Sequence, residues 1–181
     1  ISPSSIKLVE LERARSGTFE LQRCALEVLE PDWIADGDIK NFDAVADAVR
    51  RVVKKSRTKA KNVAMAMPAS VVISKRIVLP RDLSEREMEI QVEMEANQYI
   101  PFSLDEVSLD FCVIGPSRAS PEDVDVMIAA SRREKVEDRQ ALAEAAGLVP
   151  MVMDVETWAS RLATQRLVRQ MPEADEETVI A

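Results

Sequence analysis

The chain has 181 residues, 46% apolar and 31% charged, with 24 basic against 32 acidic side chains and a net charge of -8. That is the composition of a globular protein long enough to bury a core unaided, and it argues against a disordered, disulfide-dense or nucleic-acid-binding chain. The absence of histidine excludes Ser-His-Asp and Cys-His catalysis and His-ligated zinc, and the glycines (Gly17, Gly37, Gly115, Gly147) are too scattered for a Walker A loop or a GxGxxG turn.

In chain order, IKLVELE (Ile6 to Glu12) and TFELQRCALEVL (Thr18 to Leu29) read as two strands of a hairpin turning at Gly17. Pro31 and Gly37 punctuate a loop, and Asn41 is the candidate N-cap of a helix from Phe42 to about Lys55, with Phe42, Val45, Val49, Val52 and Val53 at helical spacing. NVAMAM (Asn62 to Met67) reads as a strand buried on both faces. KRIVL (Lys75 to Leu79) is a strand ended by Pro80, and Ser84 with Glu87 forms a capping box opening a helix that runs to Tyr99. Strands follow over Val107 to Ile114 and Val124 to Ala130, then a helix from Lys135 to Ala146 with Gly147 at C′, and a strand from Val149 to Val155. Residues 75–155 thus read β-α-β-β-α-β, an order known from ferredoxin-like units, and a last helix runs to about Arg169. The simplest assembly is one lobe built from both ends of the chain with this module inserted.

Four features hold chemical interest. The turn Ile1 to Lys7 is rich in hydroxyls and ends in a cation, a pattern that suits phosphate oxygens and equally suits an irregular lead into a strand. The basic run Arg50 to Lys61 sits at a helix end, where cations complement the helix dipole. On the helix Glu85 to Tyr99, Met88, Val92, Ala96 and Tyr99 form one apolar stripe. Ile90 and Met94 form a second on nearly the opposite side, which needs a cover from this protein or from a partner. Cys24 and Cys112 lie in apolar runs and read as small buried side chains, without a metal cage or a disulfide. No run approaches the roughly 18 apolar residues of a membrane span, and no signal peptide is legible. The chain opens on Ile1 and closes on the β-prone Thr178 to Ala181, so the expectation is part of a longer protein.

The segments QYIPF (Gln98 to Phe102), Glu106–Val107, Asp110–Phe111, Val124 to Val126, Ala129 to Arg132, Ala146 to Leu148 and Asp154 to Glu156 are spaced as in the PilM family of type IV pilus assembly proteins. The chain resembles that family over nearly its whole length, including the opening ISPSSIKLVEL and Val71 to Lys75. PilM proteins are similar to the cell-division protein FtsA, so the resemblance implies an α/β fold with mixed sheets, of the actin-like ATPase superfamily. Residues 1–74 and 156–181 would form an RNase H-like subdomain 1A, and 75–155 the inserted βαββαβ subdomain 1C.

The resemblance also implies ATP with magnesium in the full-length protein, with Ser4, Ser5 and Lys7 as contacts in the first phosphate loop, where Pro3 removes one backbone donor. The aspartate expected before Ile1, the second phosphate loop and the adenosine site lie outside the chain, so no nucleotide affinity is expected of this piece alone, and no metal-ligand set is read. Asp154 aligns with the residue that orients attacking water in actin-like ATPases; the alternative is a helix cap. The implied partner is the cytoplasmic N-terminal segment of PilN, held in a groove between 1A and 1C that Ile90 and Met94 would line. PilN would connect the chain to other inner-membrane pilus proteins and motor ATPases, with no nucleic acid and no membrane insertion. The implied function is a cytoplasmic scaffold, peripheral at the inner membrane and serving twitching motility and competence. The alternative is a genuine ATPase whose turnover drives pilus assembly.

Overall fold

In the computed structural model, which describes residues 1–15 and 17–170, the elements run β1 (Ser5–Arg13), β2 (Phe19–Val28), β3 (Ile34–Ala35), β4 (Asp38–Ile39), α1 (Phe42–Ser56), β5 (Asn62–Met67), β6 (Ile73–Pro80), α2 (Glu85–Tyr99), β7 (Val107–Pro116), β8 (Asp123–Arg132), α3 (Arg133–Ala145), β9 (Val149–Val155) and α4 (Glu156–Val168). The helix boundaries follow from where orphan backbone groups find substitutes. Asn41 Oδ1 accepts the Ala44 N–H at 3.2 Å and opens α1. Ser84 and Glu87 close a reciprocal capping box on α2, with the Glu87 carboxylate on the Ser84 N–H at 2.9 Å. Past α3, the Gly147 N–H reaches Glu144 O and the Leu148 N–H reaches Ala143 O, a Schellman closure that the positive φ of Gly147 permits.

Two cores result. In the first, α1 presses Val45, Ala46, Ala48, Val49 and Val52 against Ile6 of β1, Leu29, Ile34 of β3 and Leu142 of α3. In the second, α2 lays Met88 and Val92 on one face of the antiparallel sheet β6-β8-β7, against Ile77, Leu79, Val126 and Ile128. Ala96, Ile100, Val107 and Ala130 extend it towards the base of the sheet.

The order β-α-β-β-α-β is met along the chain, but its last strand pairs elsewhere. β9 runs parallel to β5, Asn62 facing Val149 and Met67 facing Val155, instead of joining β6-β8-β7. The reason lies in α3, whose fully buried Leu142 belongs to the first core and carries the chain back there. β5 has no double-sided burial either: Asn62 and Ala64 are exposed, because β9 is its strand partner on one side and its other edge meets a cleft. The loop punctuated by Pro31 and Gly37 holds a small hairpin, β3–β4, which turns at Gly37 and which alternation in so short a stretch does not reveal. The run Thr178 to Ala181, read above as the start of a strand, lies outside the described residues.

That hairpin is held by α3 and by close packing. Arg139 donates through Nη2 to Gly37 O at 2.7 Å, and Lys135 Nζ stands 3.1 Å from the Asp38 carboxylate. Gly37 has φ +83°, and a Cβ there would lie 2.6 Å from both Ser70 Oγ and Val71 Cγ1. Gly37→Ala therefore combines a left-handed backbone with a steric clash, and is expected to lower stability by more than about 1 kcal/mol, read as a shift of the urea midpoint. The hydrogen bond from Lys135, then that from Lys40, holds the Asp38 carboxyl below the usual carboxylate range. The stability this pairing contributes is present above that range and is lost as pH falls through Asp38's depressed value. Wild type and Asp38→Asn should thus differ at neutral pH and converge in acid, as followed by thermal unfolding across pH.

Candidate functional site

β1 and β5 lie on opposite sides of a cleft of about 340 Å³, walled by Val49, Val52 and Val53 of α1 and reached by Lys7, Arg139 and Asp154. Lys7 of β1 and Asp154, far apart in sequence, thus border one space. Asp154 stands at the carboxyl end of a parallel strand pair, where ligands of open α/β sheets collect. It does not cap α4: Val155 is the N-cap without a side-chain bond, and Asp154 Oδ1 accepts the Val155 N–H at 2.7 Å. Lys7 is exposed and makes no ion pair among the described residues.

The opening turn is closed on itself. The Ser2 N–H donates to Ser5 O at 2.9 Å, and the Ser2 hydroxyl donates to the same oxygen at 3.0 Å, 3.2 Å from the Ser5 hydroxyl. Ser4 is exposed, its carbonyl taking the Leu29 N–H at 2.9 Å. Of the three residues of the opening motif, Lys7 lines the cleft, whereas Ser4 and Ser5 lie outside its lining; the Lys7 ammonium suits a phosphate oxygen and the valines suit none. Arg139 adds a second cation. Only 3% exposed, its guanidinium is drawn below its ordinary value by burial, against the pull of Asp138 and Asp38, and donates to the carbonyls of Gly37 and Lys135.

Across β9 lies a second concavity, a groove of about 310 Å³. One wall is β7 from Ser108 to Cys112 with Met127 and Ala129 of β8; the other is Met67, Met153, Val155 and Trp158. Asp110 and Asp154 are the charged side chains in its lining, so Asp154 borders both spaces. A further cleft of about 300 Å³ separates Ser70 to Ile73 from Ile100 to Phe102, with the Arg132 guanidinium 4.5 Å from the Phe102 ring centroid. Part of the QYIPF motif thus shapes a cavity wall.

Ile90 and Met94, 49% and 60% exposed, stand on the outer side of α2 and line none of these spaces. Tyr99, placed in the buried stripe by its spacing, is exposed beneath Lys75, whose Nζ is 4.5 Å from the ring centroid. Part of the basic run is spent on structure: Arg51 pairs with Glu27 at 2.7 Å, Lys55 donates to Leu26 O, and Arg50 donates to Ala145 O. Cys24 and Cys112 are exposed and not buried; Cys112 lies in the wall of the open groove beside β7. Met127, Met153 and Trp158 were not singled out by sequence reasoning. Apolar residues on strands and a helix signal burial, and only the fold shows them facing one groove.

Among the described residues, no group of three or more Cys, Asp or Glu side chains could hold a metal, and no helix is long and apolar enough to cross a membrane. A family model described as type IV pilus assembly protein PilM matches residues 1–181. A solved structure titled "PilM-PilN type IV pilus biogenesis complex" superposes with a TM-score of 0.83 at 31% identity, over 96% of this chain and 51% of that one. The chain therefore spans about half the length of that structural relative, with the same α/β architecture. On this match over its whole length, the chain belongs to the PilM family of type IV pilus assembly proteins.

Proposed function

We propose that this chain is the part of a type IV pilus scaffold that grips PilN, and that the groove between β7 and Trp158 receives the cytoplasmic N-terminal segment of that protein. The observation that carries the reading is the likeness to a PilM–PilN complex over 96% of the chain, taken with an open apolar groove whose methionines can adapt to a bound side chain. A short apolar segment anchored there would tie the scaffold to the inner membrane and to the other assembly proteins and motor ATPases. Calorimetric titration of the intact protein with a PilN N-terminal peptide tests it. Trp158→Ala and Met127→Asp should each weaken binding about tenfold or more. The pair Ile90→Ser, Met94→Ser, on another surface, should leave affinity within about twofold. Undiminished affinity in the groove variants would remove the reading.

The cleft between β1 and β5 is read as the share of an ATP site that this half contributes, with Lys7 of its lining towards phosphate oxygens and Ser4 and Ser5 in the turn just outside it. ATP with magnesium would bring a polyanion whose charge Lys7 offsets. Nucleotide could alter PilN affinity only through a difference in its own affinity for the two arrangements of the site. In the intact protein, Lys7→Ala should reduce ATP affinity about tenfold by titration, and an unchanged value would take Lys7 out of the site. Asp154, beside this cleft and free of a capping role, keeps the ATPase alternative in view. Steady-state phosphate release that Asp154→Asn abolishes would favour turnover over a scaffold that only binds.

A further inference from the structure

β7 is an outer strand of the β6-β8-β7 sheet, and one of its edges has no strand partner among the described residues. The register shows which backbone groups point there. The Ser117 N–H donates to Asp123 O, and the Arg81 N–H to Glu122 O on the other side of the sheet. Odd-numbered residues of β8 therefore turn their backbone groups to β7 and even-numbered ones to β6. Before the bulge near Ile114, Ser108, Asp110 and Cys112 oppose Ser131, Ala129 and Met127. Hydrogen-bonded and non-hydrogen-bonded pairs alternate in an antiparallel ladder, so the N–H and C=O groups of Leu109 and Phe111 point to the free edge. One bond agrees with this independently: the Phe111 N–H is taken by the carboxylate of its own neighbour, Asp110, at 2.8 Å.

The groove follows this edge, because its lining contains every residue from Ser108 to Cys112, from both faces of the strand. We propose that the partner segment binds as an added strand, hydrogen-bonded to Leu109 and Phe111 on the free edge of β7, with alternate apolar side chains in the groove towards Met127 and Trp158. This rests on the proposed function and specifies how that groove takes a peptide. Leu109 and Phe111 are two residues apart, the repeat at which an extended chain presents its own donors and acceptors. Charge selects the occupant. Asp110 and Asp154 are the acidic side chains in the lining of the groove, which contains no basic one, so a second copy paired edge to edge would bring like carboxylates together, while a neutral or basic segment would not. In the free protein Asp110 occupies the Phe111 N–H and blunts an edge that would otherwise pair indiscriminately; the incoming strand's carbonyl replaces it.

The test uses the intact protein and a set of PilN N-terminal peptides, each N-methylated at one backbone position. Methylation at alternate residues should weaken binding about tenfold or more, and at the residues between them by less than about twofold. Tolerance at every position overturns the added strand. If Trp158→Ala and Met127→Asp weaken the unmodified peptide while the methyl scan is flat, only this inference fails; if neither variant matters, the groove reading itself fails. Asp110→Ala should tighten the unmodified peptide about two- to fivefold, since the edge donor is released, and a loss of affinity overturns the guarding role. Sedimentation of the free protein should show no dimer that the peptide dissociates, whereas such a dimer would assign the edge to a second copy and overturn the proposal.

Discussion

Arg139 is the constraint on which the arrangement turns. An arginine 3% exposed and, among the described residues, without a carboxylate partner within salt-bridge distance is costly to bury, and its place is supported by hydrogen bonds to the carbonyls of Gly37 and Lys135. One of these is an intrahelical neighbour; the other belongs to a hairpin more than a hundred positions earlier. α3 is thereby fastened to the β3–β4 hairpin, with Lys135 and Asp38 repeating the link at the surface and Leu142 completing it inside. An element that leaves the second sheet is made part of the first core.

The consequence is the position of β9. Once α3 lies against α1, the chain leaving it at Gly147 enters the first lobe, and β9 finds β5 as its partner. β9 then separates two concavities, the apolar groove towards β7 and the cleft towards β1, with Asp154 bordering both. Neither space belongs to a single sheet. The groove needs β7 and β8 on one side and β9 with α4 on the other, and the cleft needs β1 and β5 held apart by the valines of α1. A peptide-gripping surface and a phosphate-facing turn are therefore consequences of one chain reversal.

Much of the secondary structure was legible because local rules agree there. Asn41 and the valines of α1, the Ser84–Glu87 capping box, and Gly147 past α3 are each explained within four residues of sequence. Burial was harder to read. Cys24 and Cys112 stand in apolar runs but are exposed, Cys112 in the wall of an open groove, and β5 reads as a doubly buried strand but exposes Asn62 and Ala64. Composition reports how much a segment can bury, while the neighbour on each face decides whether it does. The candidate site divides in the same way. Lys7 and Asp154 were named from the chain and meet at one cleft, whereas Met127, Met153 and Trp158 carry no signal distinguishing a groove from a core.

The order of elements, the helix caps, the exclusion of histidine chemistry and the family likeness were determined by the sequence alone, since each depends on residue identity and short spacing. The partner of β9, the free edge of β7 and the convergence of Lys7, Arg139 and Asp154 were decided by tertiary structure. Those depend on which distant surfaces α3 could bury, and the energy of that burial is shared among residues of β1, β3, α1 and α3 that no local window contains.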